Sequence, residues 1–435
     1  MKVKRLKMTS FRGIGDLTLE FDADEPTVLI GINGVGKSSI LDCLAILLSR
    51  FVELLVYPPT NLMSFKMSLK SEAEKKAIRS LFKPANKEDI KNVYKETRNE
   101  ITISLNDLRD ATWSFNTSWE ENTKFKWEEL KAFAQDIHSQ LEDNPKANLP
   151  LVVYYPVNRA VLDVALEVNQ NYSFKPRDAY IEALAGEQMG FGSFFQWFRL
   201  LEDVENEERR DNSDYRDHQL EAVRLAIASL QPDFSKLRVR RSPLRMTVEK
   251  QGQVLIVNQL SDGEKCLLAM VGDLARRLAI ANPGLPDPLQ GEGVVLIDEI
   301  ELHLHPKWQR EIIPALTRTF PNCQFIVTTH SPQVISEVKP NGIYILEATS
   351  EGVVAKRPES SFGRDSNRIL EDLMGVPARP QEIKDELLEL FRLIDKGDLD
   401  GAKQLRQQIA DQIGTDEPEF VRADVLMRRK EILNR

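Results

Sequence analysis

Four short segments, far apart in the chain, carry residues suited to holding and cleaving a nucleoside triphosphate. Gly31-Ile32-Asn33-Gly34-Val35-Gly36-Lys37-Ser38-Ser39 fits the pattern G-x-x-x-x-G-K-[ST] in full. Its three glycines let backbone N–H groups approach phosphate oxygens that a Cβ would hold off. Lys37 supplies a point charge to the β- and γ-phosphates and Ser38 a hydroxyl for Mg2+, while the helix beginning near Lys37 adds its positive end. Val294-Val295-Leu296-Ile297-Asp298-Glu299 is an apolar run ending in two carboxylates. As a strand it delivers both to the carboxyl edge of a parallel sheet, where ligands of open α/β sheets bind. There Asp298 is the outer-shell Mg2+ partner and Glu299 the candidate general base for the attacking water. A second buried strand with a polar tip, Phe325-Ile326-Val327-Thr328-Thr329-His330-Ser331-Pro332, puts His330 where a neutral imidazole contacts the γ-phosphate.

The fourth segment, Leu260-Ser261-Asp262-Gly263-Glu264-Lys265, admits two readings. Ser261 as N-cap and Glu264 three residues on make a capping box, which is structural. Alternatively, the free N–H groups and the Ser261 hydroxyl form an anion site displayed by the following helix. The neighbouring phosphate loop and Asp-Glu strand favour the second.

These groups need elements to place them. Strands over residues 3–10 and 17–21 flank Arg12-Gly13-Ile14-Gly15, a strand over 27–30 leads into the glycine-rich loop, and a helix covers 40–56. Residues 58–150 read as an insertion: Lys-rich helices at 71–82 and 87–96, alternating runs at 100–105 and 111–115, and a helix at 127–141. Residues 149–155 return as a buried strand of the main sheet. A helical insertion follows over 162–234, with helices beginning at Ser193 and at His218. Residues 236–245 read as a basic strand with Lys236, Arg238 and Arg240 on one face, either a DNA contact or a solvated outer strand. The sheet ends at Leu346, and a helical tail begins at Ser361. The expected divisions are 1–57 (phosphate-loop lobe), 58–148 (inserted α+β segment), 149–160 (core strand and sensing loop), 161–235 (helical insertion), 236–348 (second ATPase lobe) and 349–435 (assembly or partner-binding tail).

Composition narrows the classes. With 42% hydrophobic and 29% charged residues, the 435-residue chain is built like an ordinary globular protein. Cys43, Cys266 and Cys323 lie too far apart for a disulfide framework or a metal hook, so a reduced, cytoplasmic setting is expected. The basic N-terminus lacks the apolar core of a signal peptide. The most apolar stretch, 40–57, carries Asp42, Arg50 and Glu53 and ends at Pro58-Pro59, so no membrane span is expected. A net charge of −9 means that any nucleic-acid contact must be a local basic surface.

Taken together, Phe11-Arg12-Gly13, Asn33 in the loop, the 260–265 signature, Asp298-Glu299 and Thr329-His330-Ser331 resemble the RecF/SMC-type members of the ABC ATPase superfamily. The likeness covers roughly residues 1–57, 149–160 and 250–348. It implies an α/β fold: an ABC-type ATPase head with a mixed or parallel sheet, an N-terminal antiparallel β subdomain, helical insertions and a helical C-terminal tail. No sustained heptads extend it into coiled-coil arms. It further implies that Ser261 and Gly263 complete the site of a second protomer, that Arg12 reaches back to the nucleotide, and that Asn33, Gly34, Gly36, Lys37, Ser38 and Ser39 cradle ATP. Asn158 stands where a Mg2+-sensing residue is expected. Asp262 and Ile300 depart from the usual signature Gly and post-glutamate Pro. Glu301-Leu302-His303-Leu304-His305-Pro306 has the form found in overcoming-lysogenization-defect nucleases and defence ATPases, with His303 and His305 expected at a dimer contact.

A narrower resemblance, in the helix over 194–207, the basic strand and the segment 362–370, is to the ATPase subunits of Septu-type anti-phage systems, which work with a separate HNH nuclease. The implied function is an ATP-binding and hydrolysing subunit that assembles as a homo-oligomer and regulates such a nuclease acting on DNA. A RecF-like DNA-repair ATPase and a non-hydrolysing, nucleotide-gated scaffold are the alternatives. No nuclease site of its own is expected, because only about a hundred residues follow His330, less than one typical domain, and they read as helices.

Overall fold

The structure, a computed structural model, describes residues 1–57, 83–91, 94–105, 109–121, 123–144, 146–159, 175–186 and 191–433. The expected helix at 71–82 and the first part of the second insertion lie outside the described residues. The chain divides into two units, Met1–Arg364 and Asp365–Arg435.

The larger unit is built on a six-stranded sheet in the order β14-β13-β3-β12-β11-β7. Every residue of β3 (Thr27–Ile30), β7 (Leu151–Tyr155), β11 (Gly293–Ile297) and β12 (Cys323–Thr328) is buried. Strands covered on both faces have no solvent side to alternate with, which is why these four are near-continuous apolar runs. They pair in parallel with one another, as does β13 (Ile343–Ala348) with β3. The sheet does not end at Leu346: β14 (Val353–Lys356) pairs antiparallel with β13. Its half-exposed pattern hides it from a search for buried runs. Helix α1 (Lys37–Val56) packs against β7, β11 and β12, and its near all-round burial matches its near all-round apolar sequence.

A second sheet, wholly antiparallel, has the order β2-β1-β4-β5-β6. In β1 (Lys2–Thr9) Val3, Leu6 and Met8 point inward. A register shift between Val3 and Arg5 lets two inward residues stand three apart. β2 (Asp16–Glu20) flanks β1 on one side and β4 (Glu96–Leu105) on the other, followed by β5 (Arg109–Ser118) and β6 (Lys124–Lys126). The runs assigned to an insertion therefore complete the N-terminal β subdomain. The described residues of 87–96 form no α-helix: Lys87–Asp89 is a single 3-10 turn, the buried Asp89 carboxylate accepts from the Asn86 N–H and from Arg12, and β4 begins at Glu96.

α2 (Glu128–Asp143) packs on α1 and β5. Next come α3 (Phe191–Asp211), α4 (His218–Leu230) and a three-stranded antiparallel sheet of β8 (Phe234–Arg241), β9 (Leu244–Lys250) and β10 (Gln253–Ile256). Residues 236–245 are thus a hairpin rather than one strand: the chain turns after Arg241 and pairs Arg240 with Arg245. α5 (Asp262–Ala281) follows and packs on α3, α4 and β7, and α6 (Pro306–Thr319) and the short α7 (Pro332–Ile335) bracket β12.

The smaller unit comprises α8 (Ser366–Asp372), α9 (Gln381–Lys396), α10 (Leu399–Ile413) and α11 (Pro418–Leu433). Leu390 and Ile394 of α9, Ala402 and Ile409 of α10, and Phe420 and Ala423 of α11 form its core. Among the described residues no helix is long and apolar enough to cross a membrane.

Candidate functional site

Because β3, β12, β11 and β7 are parallel neighbours, their carboxyl ends carry four of the segments picked out in sequence to one edge. β3 runs into the glycine-rich loop, β11 into Asp298 and Glu299, β12 into Thr329 and His330, and β7 into residues 156–159.

The loop is shaped so that side chains are excluded from it. Gly31 and Gly36 have φ of +148° and +112°. A Cβ on Gly31 would stand 2.6 Å from the Leu346 carbonyl oxygen, and one on Gly36 3.1 Å from the Ile14 side chain. Gly36 is also the N-cap of α1, where no side chain caps the helix and no acidic residue sits in the first turn. The amide groups there are arranged for an anion. Lys37 is buried, and its ammonium donates to the Gly31 and Ile32 carbonyls at 3.1 and 3.3 Å. Burial lowers its pKa, against the pull of Glu299, Asp298 and Glu301. Ser38 is exposed and Ser39 half-buried on the same turn; Asn33 and Gly34 are exposed in the loop.

At the end of β11 the buried Asp298 carboxylate accepts from the Thr328 hydroxyl at 2.6 Å, and that hydroxyl accepts the Glu299 N–H at 2.7 Å. Glu299 itself has φ +50°, the left-handed region that an L-residue enters at a cost. Its Oε1 lies 3.4 Å from His330 Nε2. Burial first, and then Glu301, push the Glu299 carboxyl up to about 7. Burial and the Lys37 charge lower the His330 pKa, keeping its imidazole neutral at pH 7. Its Nε2 is screened from water and has no hydrogen-bond partner among the described residues. An orphaned ring nitrogen, a carboxylate, a buried ammonium and a glycine cradle converge here. That donor and acceptor set fits a triphosphate with Mg2+. Among the described residues no cluster of three metal-ligating side chains is placed to hold an ion alone.

The other residues named from sequence have the following surroundings. Arg12 donates to Asp42 of α1 at 2.6 Å and to Asp89 at 2.9 Å, so these two carboxylates hold its guanidinium. Asn158 is exposed in the turn after β7, and it is its neighbour Arg159 that is buried. Ser261 caps α5: its hydroxyl donates to Glu264 at 2.9 Å, and the Glu264 N–H returns to it at 3.4 Å. The capping box is therefore real, yet Ser261 remains exposed. A Cβ on Gly263 would stand 2.2 Å from the His303 carbonyl oxygen, so the signature turn fits against the loop that follows Glu299. His305 caps α6 through its Nδ1, accepting the Lys307 N–H at 3.3 Å.

Two residues escaped the sequence reading. Glu301 accepts the Thr329 hydroxyl at 2.7 Å and the His330 N–H, so it buttresses the histidine from behind. Its spacing of two from Glu299, beside a buried Thr-His tip, was the available signal. Arg159, adjacent to the chosen Asn158, had none beyond its position after a buried strand.

Residues 27–336 match the family described as "AAA domain, putative AbiEii toxin, Type IV TA system". The chain is 29% identical to the "Retron Ec83 probable ATPase" of Escherichia coli, covering 97% of this chain and 85% of that protein. It is 23% identical to the "Septu protein PtuA" of Bacillus thuringiensis, over 86% of this chain and 84% of that one. Among solved structures, the SMC head domain from Thermotoga maritima aligns with a TM-score of 0.44 at 16% identity, covering 82% of this chain and all of that one.

Proposed function

The chain belongs to this AAA-domain family and is an ABC-type ATPase related to PtuA and the retron ATPases, and from that premise we propose that it binds Mg-ATP and hydrolyses it with Glu299 as the general base. The observation that carries this reading is the meeting of Lys37, Asp298, Glu299 and the unpartnered His330 Nε2 at one sheet edge. The loop amides and Lys37 hold the phosphates, and Ser38 and Asp298 are the protein groups for Mg2+. When bound, the ion neutralises phosphate charge. Glu299 takes the proton of the attacking water, and the neutral His330 faces the reacting phosphoryl group. Replacing Lys37 with alanine tests the assignment: loss of ATP binding supports it, and full affinity removes the site from the loop.

The site is proposed to be composite. Ser261 is exposed, and its hydroxyl bonds with Glu264 within its own helix turn, which leaves that turn's outer face for a second protomer's phosphates. Mixing a Lys37→Ala chain with a Ser261→Arg chain should regenerate one working site per dimer. Absence of turnover in a folded, paired mixture argues for sites complete within one chain.

The likeness to PtuA and the retron ATPase supports a role in anti-phage defence alongside a separate HNH nuclease, tested by asking whether such a nuclease co-purifies with the chain from its native host. Direct DNA contact is a second reading, favoured by one feature. A cleft of about 560 Å³ gathers Arg209, Arg216, Arg224, Lys236, Arg238 and Arg240 in a chain of net charge −9. Arg224 pairs with Glu205 and Lys236 with Glu249, whereas Arg238 and Arg240 pair with no carboxylate among the described residues.

A further inference from the structure

Arg159 is almost wholly buried, at 2% exposure, and its guanidinium spans the end of β11. Nη1 donates to the Pro156 carbonyl at 3.2 Å and to the Asp298 carbonyl, and Nη2 donates to the Glu299 carbonyl at 2.5 Å. A planar fork with fixed donor directions holds two successive carbonyls in one rigid geometry from two separate nitrogens, whereas a lysine offers a single point donor on a flexible stem. The two carbonyls belong to the residues whose side chains are assigned to Mg2+ and to the attacking water.

The same segment is bonded on its other side to α5. The Arg159 carbonyl accepts the Cys266 thiol at 3.7 Å, and the Tyr155 hydroxyl donates to Asp273 at 3.0 Å. Asp273 is itself fixed by Arg276 and Arg277 at 2.6 and 2.7 Å. Tyr155 also accepts the Asp298 N–H through its carbonyl, at 2.9 Å. Residues 155–159 therefore touch the Asp298–Glu299 turn and the signature helix together. Glu299 needs such support. Its φ of +50° persists only where surrounding contacts over-determine it.

We infer that Arg159 is the positioning residue that holds Glu299 in its left-handed turn and ties that turn to the helix carrying Ser261. This rests on the reading of Glu299 as the base. A displaced carboxylate weakens water activation far more than phosphate binding, because the loop and Lys37 make no bond to Arg159.

The test measures ATP dissociation constants by equilibrium binding and single-turnover rates for Arg159→Lys. The expected result is a dissociation constant within about threefold of the parent and a turnover rate lower by roughly 10–100-fold, in line with losing much of a general-base contribution. Tyr155→Phe, nearly unchanged in volume, should lower the rate severalfold at unchanged affinity. A parental rate in Arg159→Lys overturns the inference, as does joint loss of binding and turnover, which makes Arg159 a residue of the fold alone. Parental rate in Tyr155→Phe overturns the tie to the signature helix. Glu299→Gln in the same assay separates the two levels: if it is inactive while Arg159→Lys is fully active, only the positioning role fails. If Glu299→Gln is itself fully active, the base assignment fails and this inference with it.

Discussion

Glu301 stands two residues beyond Glu299 at the turn that follows β11, and its negative charge opposes ionisation of the Glu299 carboxyl. Burial contributes most to the upward shift of Glu299, and Glu301 adds to it. Together they poise the proposed base near neutrality.

A pH dependence follows. With its pKa raised to about 7, Glu299 carries a proton below that pH and cannot accept one from water. kcat/KM for ATP, which reports the free enzyme, should rise about tenfold per pH unit below 7 and level off above it. Glu301→Gln removes the neighbouring negative charge, so the midpoint should move to lower pH. A rate profile that is flat from pH 5.5 to 8 in the parent protein would exclude Glu299 as the titrating base.

Lys37→Ala removes a buried ammonium that the loop carbonyls and three carboxylates surround. Loss of charged hydrogen bonds of about 1.5–3 kcal/mol each corresponds to a fall in ATP affinity of at least about 10–100-fold. Fluorescent-nucleotide titration reads this directly.

The basic hairpin gives opposite expectations for adjacent arginines. Arg241 is bonded to Glu202 and Asp203, so Arg241→Ala should lower stability by about 1–3 kcal/mol through the unpaired, buried Glu202. Thermal or denaturant unfolding measures it. Reversing Arg238 and Arg240 to glutamate should leave stability near the parent value. If the cleft binds DNA, the slope of log affinity against log salt should become shallower by about 0.9 for each phosphate that the variant no longer neutralises. Unchanged affinity and slope would return the hairpin to a solvated edge.

The C-terminal unit sets its own limits on truncation. Phe420, Ala423 and Met427 of α11 sit in the core with Leu390 and Ile394 of α9, so a cut at residue 415 exposes that core. It also removes the partners of Arg406 and Lys403. Such a chain should aggregate or lose helix in circular dichroism, whereas a cut before Asp365 should retain ATP binding. If the tail is the partner surface, the shorter chain no longer co-purifies with the nuclease; the same stoichiometry would contradict that role.

The phosphate loop, the Asp298-Glu299 strand end and the His330 tip were legible because each combines a local pattern with a buried strand. The sheet edge then had to bring them together. Less legible were features set by non-local pairing. β4 and β5 were visible as alternating runs, but nothing local said that they complete the sheet of β1. Residues 236–245 alternate like one strand although the chain reverses inside them. Asp42 and Asp89, the carboxylates that orient Arg12, lie 30 and 77 positions away, beyond the reach of a local pattern. Arg159 acts on backbone carbonyls, which side-chain patterns do not report.

Glu299→Gln separates the chemistry proposed for Glu299 from the binding proposed for the loop most directly. ATP affinity by equilibrium binding and single-turnover hydrolysis should be measured on the same preparation. Affinity should stay within about threefold of the parent while the rate falls by roughly 100-fold or more. Hydrolysis at the parental rate with intact binding would contradict the role proposed for Glu299.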